Sequence, residues 1–410
     1  MKVLVLNSGS SSIKFQLFDG TGWQVIASGA VSRIGEAEGE VAYTWQVPDG
    51  PMQTARQGIA IPSHQDGIDH IIAGLRAAGV LADLAELAAI GHRVVHGGER
   101  FHRPTLVDEA VVEAIREMSA LAPLHNPANL DGILVARRLF PQVPSVAVFD
   151  TAFHQTMPRT AYRYAIPEYL YTRYRVRRYG FHGTSHHYVG ERAAAVLGLA
   201  FDQCNLITLH LGNGASATAI GAGRSIDTSM GMTPLEGLVM GTRCGDIDPA
   251  ILFYLADQLG LNEPALDDLL NRRSGLLGLC GINDMREIQQ RAAAGDDAAE
   301  LAIGITAQRI KKYIGAYYAE LGRVDAIVFT GGIGENDANI RRRSCAGLEN
   351  LGISLDEGAN LSSARGERTI SAADSRVRVL VIPTNEELAI ARQALAAVAA
   401  AGGDRQRCRT

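Results

Sequence analysis

The feature that most narrows the fold of this chain is a strand–turn–strand unit that occurs twice. Residues 3–6 are a short β-rich run, Ser8-Gly9-Ser10-Ser11-Ser12 is a Gly/Ser turn, and residues 13–18 alternate as a second strand. The same order returns at residues 206–209, then His210-Leu211-Gly212-Asn213-Gly214, then residues 215–220. Laid down without gaps, residues 3–20 cover residues 206–223, with Gly9 on Gly212 and Gly20 on Gly223. Repetition of a supersecondary unit implies two related domains, although so short a match also arises by chance. Helical periodicity predicts helices over 110–119, 129–139, 190–197 and 300–321, and buried strands over 90–95, 145–149, 326–330 and 377–382. Strands and helices alternate throughout, which is the α/β pattern. A length of 410 residues fits two or three domains of about 150 residues each, with a boundary near Asp150.

Composition excludes more than it identifies. Hydrophobic residues at 47% and charged residues at 20% supply ordinary globular cores. A net charge of −5 gives no general attraction to nucleic acid or anionic membranes, so anion binding must come from local sites. The five cysteines (Cys204, Cys244, Cys280, Cys345, Cys408) are odd in number and form no CxxC pair, which argues against a disulfide framework or zinc site and for a reducing cytosol. The apolar start is too brief for a signal-peptide core, and no run approaches the roughly 20 apolar residues of a membrane helix. The expectation is a cytoplasmic protein with neither a membrane nor a nucleic-acid partner, and a disordered tail over 401–410.

Three glycine-rich turns invite phosphate. Backbone N–H groups in Asn7-Ser8-Gly9-Ser10-Ser11-Ser12, with the nearby Lys14, can cradle phosphate oxygens, and a plain hairpin turn is the alternative. The His210–Gly214 turn repeats that geometry. The third follows the 326–330 strand as Gly331-Gly332-Ile333-Gly334-Glu335-Asn336, with a helix start near Asp337. Strand, glycine turn and helix form a nucleotide-site geometry. Neither GxGxxG nor GxxxxGK[ST] is present, so the chain is no dinucleotide dehydrogenase or P-loop enzyme by motif. One nucleotide held between two domains accounts for three separated turns.

Several charged residues stand in apolar contexts. Arg93 ends a buried strand in Gly91-His92-Arg93-Val94-Val95-His96, where a cation without an anionic partner is costly. Arg243 lies in the tight turn Gly241-Thr242-Arg243-Cys244-Gly245. A guanidinium suits carboxylate or phosphoryl oxygens, and a structural ion pair is the alternative for each. His182 and His125 neighbour glycine, hydroxyls or proline and lack zinc-site spacing; each is an anion donor or a packing histidine. Asp150 closes a strand, where α/β sites form. Glu386 and Glu387 open the last helix as site residues or as N-terminal capping groups. The basic and aromatic run 171–179 fits single-stranded nucleic acid or a solvated face, and the acidic net charge favours the face.

Eight motifs in order resemble the acetate kinase family: NSGSSSIK (7–14), HRVVHGGE (92–99), PLHNP (123–127), FDTAFHQTMP (149–158), FHGTS (181–185), HLGNGAS (210–216), MGTRCGDIDP (240–249) and TNEE (384–387). The likeness runs from residue 1 to about 395. It implies an α/β fold of two duplicated ribonuclease-H-like (actin-like ATPase) domains around a central nucleotide cleft, as in the actin/hexokinase/Hsp70-like kinases. The domains would be 1–150 closed by a C-terminal helix over 386–400, and 151–385. The implied activity is Mg²⁺-dependent phosphoryl exchange between ATP/ADP and acetate/acetyl phosphate, with Mn²⁺ as an alternative metal, in a homodimer. Propionate or butyrate kinase, and more remotely a non-catalytic actin- or Hsp70-like ATP clamp, are the competing readings. By motif, Asn7 and Glu386 would hold the metal, with Ser10, Ser12 and Lys14 at the phosphates. His210, Leu211, Gly212, Asn213 and Gly214 would form the second phosphate loop. Asp284, Met285, Arg286, Gly332, Ile333, Gly334, Glu335 and Asn336 would hold adenosine. Arg93, Arg243, His125, His182 and Asp150 would be catalytic, and Val95, Leu124, Phe181 and Pro234 would wall the acyl methyl. A carboxylate of pKa about 4.3 is already ionised at neutral pH, so Asp150 is expected to organise Mg²⁺ or an arginine rather than act as a base.

Overall fold

The structure is a computed structural model that describes residues 1–47, 50–119, 121–123 and 125–407, with the backbone alone over 403–407. The chain divides into two compact units, Met1–Ala152 with Asn385–Thr410, and Phe153–Thr384.

The first unit is built on β1 (Lys2–Ser8), β2 (Ser12–Asp19), β3 (Val25–Ser32), β4 (Gly39–Gln46), β5 (Met52–Ile59), β6 (Leu87–Val94), β7 (Thr105–Leu106) and β8 (Ser145–Phe149). They form one sheet in the order β5-β4-β3-β2-β1-β6-β8-β7. β1 to β5 are an antiparallel meander, while β6 and β8 run parallel to β1. Strand alternation sends Leu4 and Leu6 to one face and Val3 and Val5 to the other. The first pair packs on α1 (His64–Ala77) and α3 (Asn126–Leu139), and α2 (Glu109–Met118) packs beside α3. The second pair packs on Ile390, Ala391 and Ala394 of the C-terminal helix (Glu386–Arg407). Because both faces are covered, the central strands read as continuous apolar runs.

The second unit repeats this arrangement. β9 (Asn205–Leu211), β10 (Ala215–Gly221), β11 (Arg224–Thr228), β12 (Ala326–Thr330), β13 (Arg368–Thr369) and β14 (Arg378–Val381) lie in the order β11-β10-β9-β12-β14-β13. Strand for strand this is β3-β2-β1-β6-β8-β7, with the same antiparallel and parallel pairings. Its helices are α4 (Arg159–Tyr162), α5 (Glu168–Tyr174), α6 (Gly183–Leu197), α7 (Ala250–Leu259), α8 (Glu263–Arg272), α9 (Gly275–Cys280), α10 (Met285–Ala293), α11 (Asp297–Leu321), α12 (Gly331–Asn336), α13 (Ala338–Cys345) and α14 (Glu357–Leu361). Val189, Ala193 and Ala194 of α6 close the core over Leu206, Val328 and Leu380. The chain therefore holds two duplicated actin-like α/β units.

Four local expectations change. The gapless repeat holds up to the turn and slips after it. β1 and β2 pair last at Ser8 and Ile13, leaving four tip residues (9–12), whereas β9 and β10 pair last at Leu211 and Ala215, leaving three (212–214). A one-residue slip changes the face of every later side chain. Lys14, opposite Asn7, thus corresponds to Ser216, opposite His210, and not to Ala217. Second, the glycine turn after β12 is itself helical: α12 starts at Gly331, and Asp337 caps α13 by accepting from Ile340 N at 2.8 Å. Third, the basic run is only partly a solvated face. Arg177 is 4% exposed and stacks 3.5 Å over the Tyr162 ring, and Arg178 pairs with Glu236 at 2.7 Å. Stacking and ion pairing let these cations leave water. Fourth, the C-terminal helix runs on to Arg407, into the stretch expected to be a disordered tail.

Candidate active site

In the first unit the site groups gather where β1, β6 and β8 end. Asp150 directly follows β8 and is 1% exposed. Arg93, next to last in β6, grips it with Nη2 at 2.6 Å and Nε at 3.0 Å from Oδ2. Glu386 Oε2 lies 3.8 Å from Arg93 Nε. Burial works against the Arg93 cation, but Asp150 and Glu386 more than reverse it and raise its pKa. Burial pushes the Asp150 carboxyl up, and Arg93 pulls against that shift. The C-terminal helix is capped by Asn385, whose Oδ1 accepts from Leu388 N at 3.0 Å, so Glu386 is not needed as the cap. Its Oε2 is buried with no hydrogen-bond partner among the described residues. Asn7 and Lys14 face each other across the β1–β2 hairpin, and the Gly9 carbonyl at its tip lies 2.7 Å from His64 Nε2. His125 immediately precedes α3, and Val95 immediately follows β6. Leu124 lies outside the described residues.

The second unit builds its groups around the β9–β10 tip. His182 precedes α6 with φ 56°, a left-handed conformation that costs a non-glycine residue about 1 kcal/mol. Its ring stacks on His210 with centroids 4.3 Å apart, and its Nδ1 lies 2.8 Å from Ser216 Oγ. Ser216 also meets His186 Nε2 at 2.7 Å, and His210 Nδ1 meets Ser185 Oγ at 2.8 Å. Behind them His154 Nε2 lies 2.9 Å from the Phe181 carbonyl, so it must carry the proton and Nδ1 accepts from Ser225. Burial pulls His154 down to about 4 and His186 well below the usual range, so both are neutral donors and acceptors that fix the rings in front.

Arg243 comes to the same place. A Cβ on Gly214 would lie 3.6 Å from His182 Nε2 and 3.8 Å from Arg243 Nη1, so guanidinium and imidazole converge on this glycine. Arg243 is half-buried, burial lowers its pKa, and among the described residues it has no carboxylate partner. Phe181, next to His182 in sequence, is buried, and Pro234 sits half-buried in the loop after β11.

A cavity of about 1050 Å³ opens on the same tip. Gly212, Asn213, Asp284, Met285, Arg286, Gly332, Ile333 and Asn336 line it, all of them named from the sequence. Gly331 makes the β12–α12 corner possible: its φ is +77°, and a Cβ there would stand 2.7 Å from the Leu211 carbonyl. Leu211 and Gly334 are buried and do not line the cavity. Glu335 turns away to accept from Gly331 N at 3.0 Å. Lining residues missing from the expected site are Asn283, Gln289, Asp337, Ala338, Asn339 and Leu361. Gln289 donates to Asp337 at 2.9 Å and accepts from Asn339 at 2.9 Å, which braces α10 against the start of α13, far away in sequence. The only local signal for Gln289 was the polar stripe of α10, indistinguishable from a solvated face.

Among the described residues no three His, Cys, Asp or Glu side chains are grouped to hold a metal. A Mg²⁺ that keeps waters and phosphate oxygens needs only one or two protein ligands. Glu386 Oε2, buried and 3.8 Å from Arg93 Nε but without a hydrogen bond among the described residues, fits that demand.

Comparison with known proteins agrees with this architecture. The family model for the acetokinase family matches residues 2–392. An acetate kinase of Leifsonia xyli subsp. xyli is 55% identical over 398 residues, 97% of this chain and 99% of the relative. The crystal structure of Porphyromonas gingivalis acetate kinase superposes with a TM-score of 0.92 at 43% identity, covering 97% of this chain and 99% of that one. A propionate kinase of Francisella tularensis superposes with a TM-score of 0.89 at 45% identity, covering 96% and 98%. On that coverage, and on the motifs and duplicated sheets that carry it, the chain belongs to the acetokinase family.

Proposed function

We propose that this protein transfers the γ-phosphoryl group of ATP reversibly to acetate, giving acetyl phosphate and ADP by direct in-line displacement. The observation that carries the reading is Arg243: a half-buried guanidinium with no carboxylate partner among the described residues, set against His182 at the Gly214 turn. A cation so placed is built to receive an anion. An acetate oxygen forms the new bond to Pγ, the bond from Pγ to the β–γ bridging oxygen breaks, and ADP leaves with that electron pair. No proton moves, so no base is required. Phosphoryl transfer then depends on alignment and charge compensation. Arg93 and Arg243 supply cationic donors to the carboxylate and the moving group, and His182 donates from Nε2. The ring is held for this by the Ser216 contact at Nδ1. Asp150 orients Arg93, a role supported by the two guanidinium nitrogens that donate to its Oδ2. Ser10, Ser12 and Lys14 take phosphate oxygens, and the 1050 Å³ cavity takes adenosine. Asn7 and Glu386 would hold Mg²⁺, which neutralises phosphate charge when bound.

Val95, Leu124, Phe181 and Pro234 would wall the acyl methyl. One methylene changes apolar binding by about 1–3 kcal/mol, so propionate should be turned over with kcat/KM about tenfold or more below acetate. A hydroxamate assay with ATP, Mg²⁺ and acetate, propionate or butyrate tests the reading. Acetyl phosphate formation is expected, and no acyl phosphate from any of the three acids ends it.

We also propose a homodimer in a reducing cytoplasm. α7 carries no buried residue, and its Phe253 and Tyr254 are 76% and 65% exposed. A bare apolar helix of this kind calls for a partner surface, and a second copy of the chain is the simplest one. The four described cysteines are free thiols, which suits a reducing compartment. Sedimentation of Phe253→Asp should show monomers where the parent protein shows dimers.

A further inference from the structure

β1 and β6 pair last at Leu6 and His92. Past that point the ladder gives them no shared bonds, yet the residues proposed to hold Mg²⁺ and the acyl group sit there. Buried backbone groups beyond the ladder still need partners. Two asparagines of α3 supply them. Asn129, 4% exposed, accepts from Val95 N at Oδ1 (3.1 Å) and donates from Nδ2 to the Ser8 carbonyl (2.6 Å). Its orientation is settled by its partners, since a backbone N–H requires an oxygen and a carbonyl requires an N–H. Asn126, fully buried, closes both of its bonds on His96, accepting from N at 3.0 Å and donating to O at 2.9 Å. It pairs with the strand extension as a neighbouring strand would. The α3 backbone lies hard against the hairpin, because a Cβ on Gly132 would stand 2.2 Å from Ser8 Oγ.

We propose that Asn129 and Asn126 are positioning residues: Asn129 ties the phosphate turn to the acyl strand, and Asn126 sets that strand against His125. The inference rests on the reaction proposed above. Ser8 stands between Asn7 and Gly9, so the Asn129 amide fixes the start of the turn that would meet the phosphates. Val95 is two residues past Arg93, so the same amide fixes the wall against the substrate methyl. His125 immediately precedes Asn126, and its placement follows from the Asn126–His96 pairing.

The two halves of the clamp can be cut separately. Asn129→Asp keeps an oxygen for Val95 N–H and removes the donor to Ser8, so it loosens the phosphate turn alone. Asn126→Ser leaves Ser8 untouched and loosens the strand. Losing one such hydrogen bond is worth on the order of 3- to 10-fold in an equilibrium constant. Asn129→Asp should raise KM for Mg-ATP by that factor with KM for acetate within about twofold, and Asn126→Ser should do the reverse. Asn129→Ala should raise both. Thermal midpoints are measured on every variant, because a purely structural role lowers them while leaving both KM values within twofold. That result overturns the proposal, as does an equal rise in both constants from either single-sided variant. If Asn129→Ala fails to fold, the two single-sided variants decide. If the parent enzyme itself does not use acetate, the proposed reaction fails, and Mg-ADP titration of Asn129→Asp still tests the phosphate half without turnover.

Discussion

Arg93 and Arg243 belong to different units, and their surroundings are electrostatic opposites. Arg93 is held by Asp150 at 2.6 Å with Glu386 at 3.8 Å, so its charge is compensated before any ligand arrives. Arg243 has an imidazole, a glycine and the Met240 thioether for neighbours, with no carboxylate among the described residues. The first is a preorganised donor whose direction is fixed by its partner. The second is a field source whose desolvation is offset only when an anion binds. Duplication gave both units the same six-strand order, and at the site what differs is how each strand end balances its charge.

The largest expected effect separates stability from activity. Arg93→Ala leaves Asp150 buried and unpaired, which should lower stability by about 3–5 kcal/mol as read by chemical denaturation, besides removing activity. A loss of activity with stability unchanged would break the contrast, since Arg93 would then be no better compensated than Arg243. Arg243→Ala should lower kcat by about 10²–10³ in the hydroxamate assay with stability unchanged or raised, because a desolvated cation without a partner is removed. Mild acid should act on both units alike. Each carries two buried histidines held neutral: His92 pulled to about 3 and His96 to about 4, then His154 to about 4 and His186 well below the usual range. Burial is the main cause in all four. The unfolded chain binds these protons from about pH 6.5 downward while the folded units do not, so stability is complete above that pH and falls as pH drops towards 4. At pH 5.5 the loss should be about 1 kcal/mol per histidine, measured as a lowered melting temperature. The smallest effect is expected at Gly214→Ala. Its new methyl would meet only ordinary contacts at 3.6 and 3.8 Å, so the fold should survive. It would occupy the place where His182 and Arg243 converge, raising KM for ATP about fivefold.

Much of the frame was legible in the sequence because it is local. Residues 145–149 and 326–330 appear as β8 and β12 with unchanged limits, since apolar runs bounded by polar turns specify buried strands. The hairpin tips and the cavity-lining glycines were readable from turn chemistry. The repeat was readable as far as its tip and was misaligned beyond it, because the one-residue difference is written in register rather than in composition. The helix over α12 was missed because three glycines in six residues read as a turn when the contacts of β12 and β9 are unknown.

The sequence by itself determined the central buried strands, several of the long helices, where the glycine-rich turns fall, and which motif residues are available. Only the tertiary structure decided that Arg93 meets Asp150 57 residues away while Arg243 meets no carboxylate among the described residues, that Asn385 rather than Glu386 caps the last helix, and that Asn126 and Asn129 join strand ends the ladder leaves apart. The physical reason is range: backbone preference and periodicity act over a few residues, whereas desolvation, charge compensation and hydrogen-bond satisfaction depend on whatever the fold brings within a few ångströms.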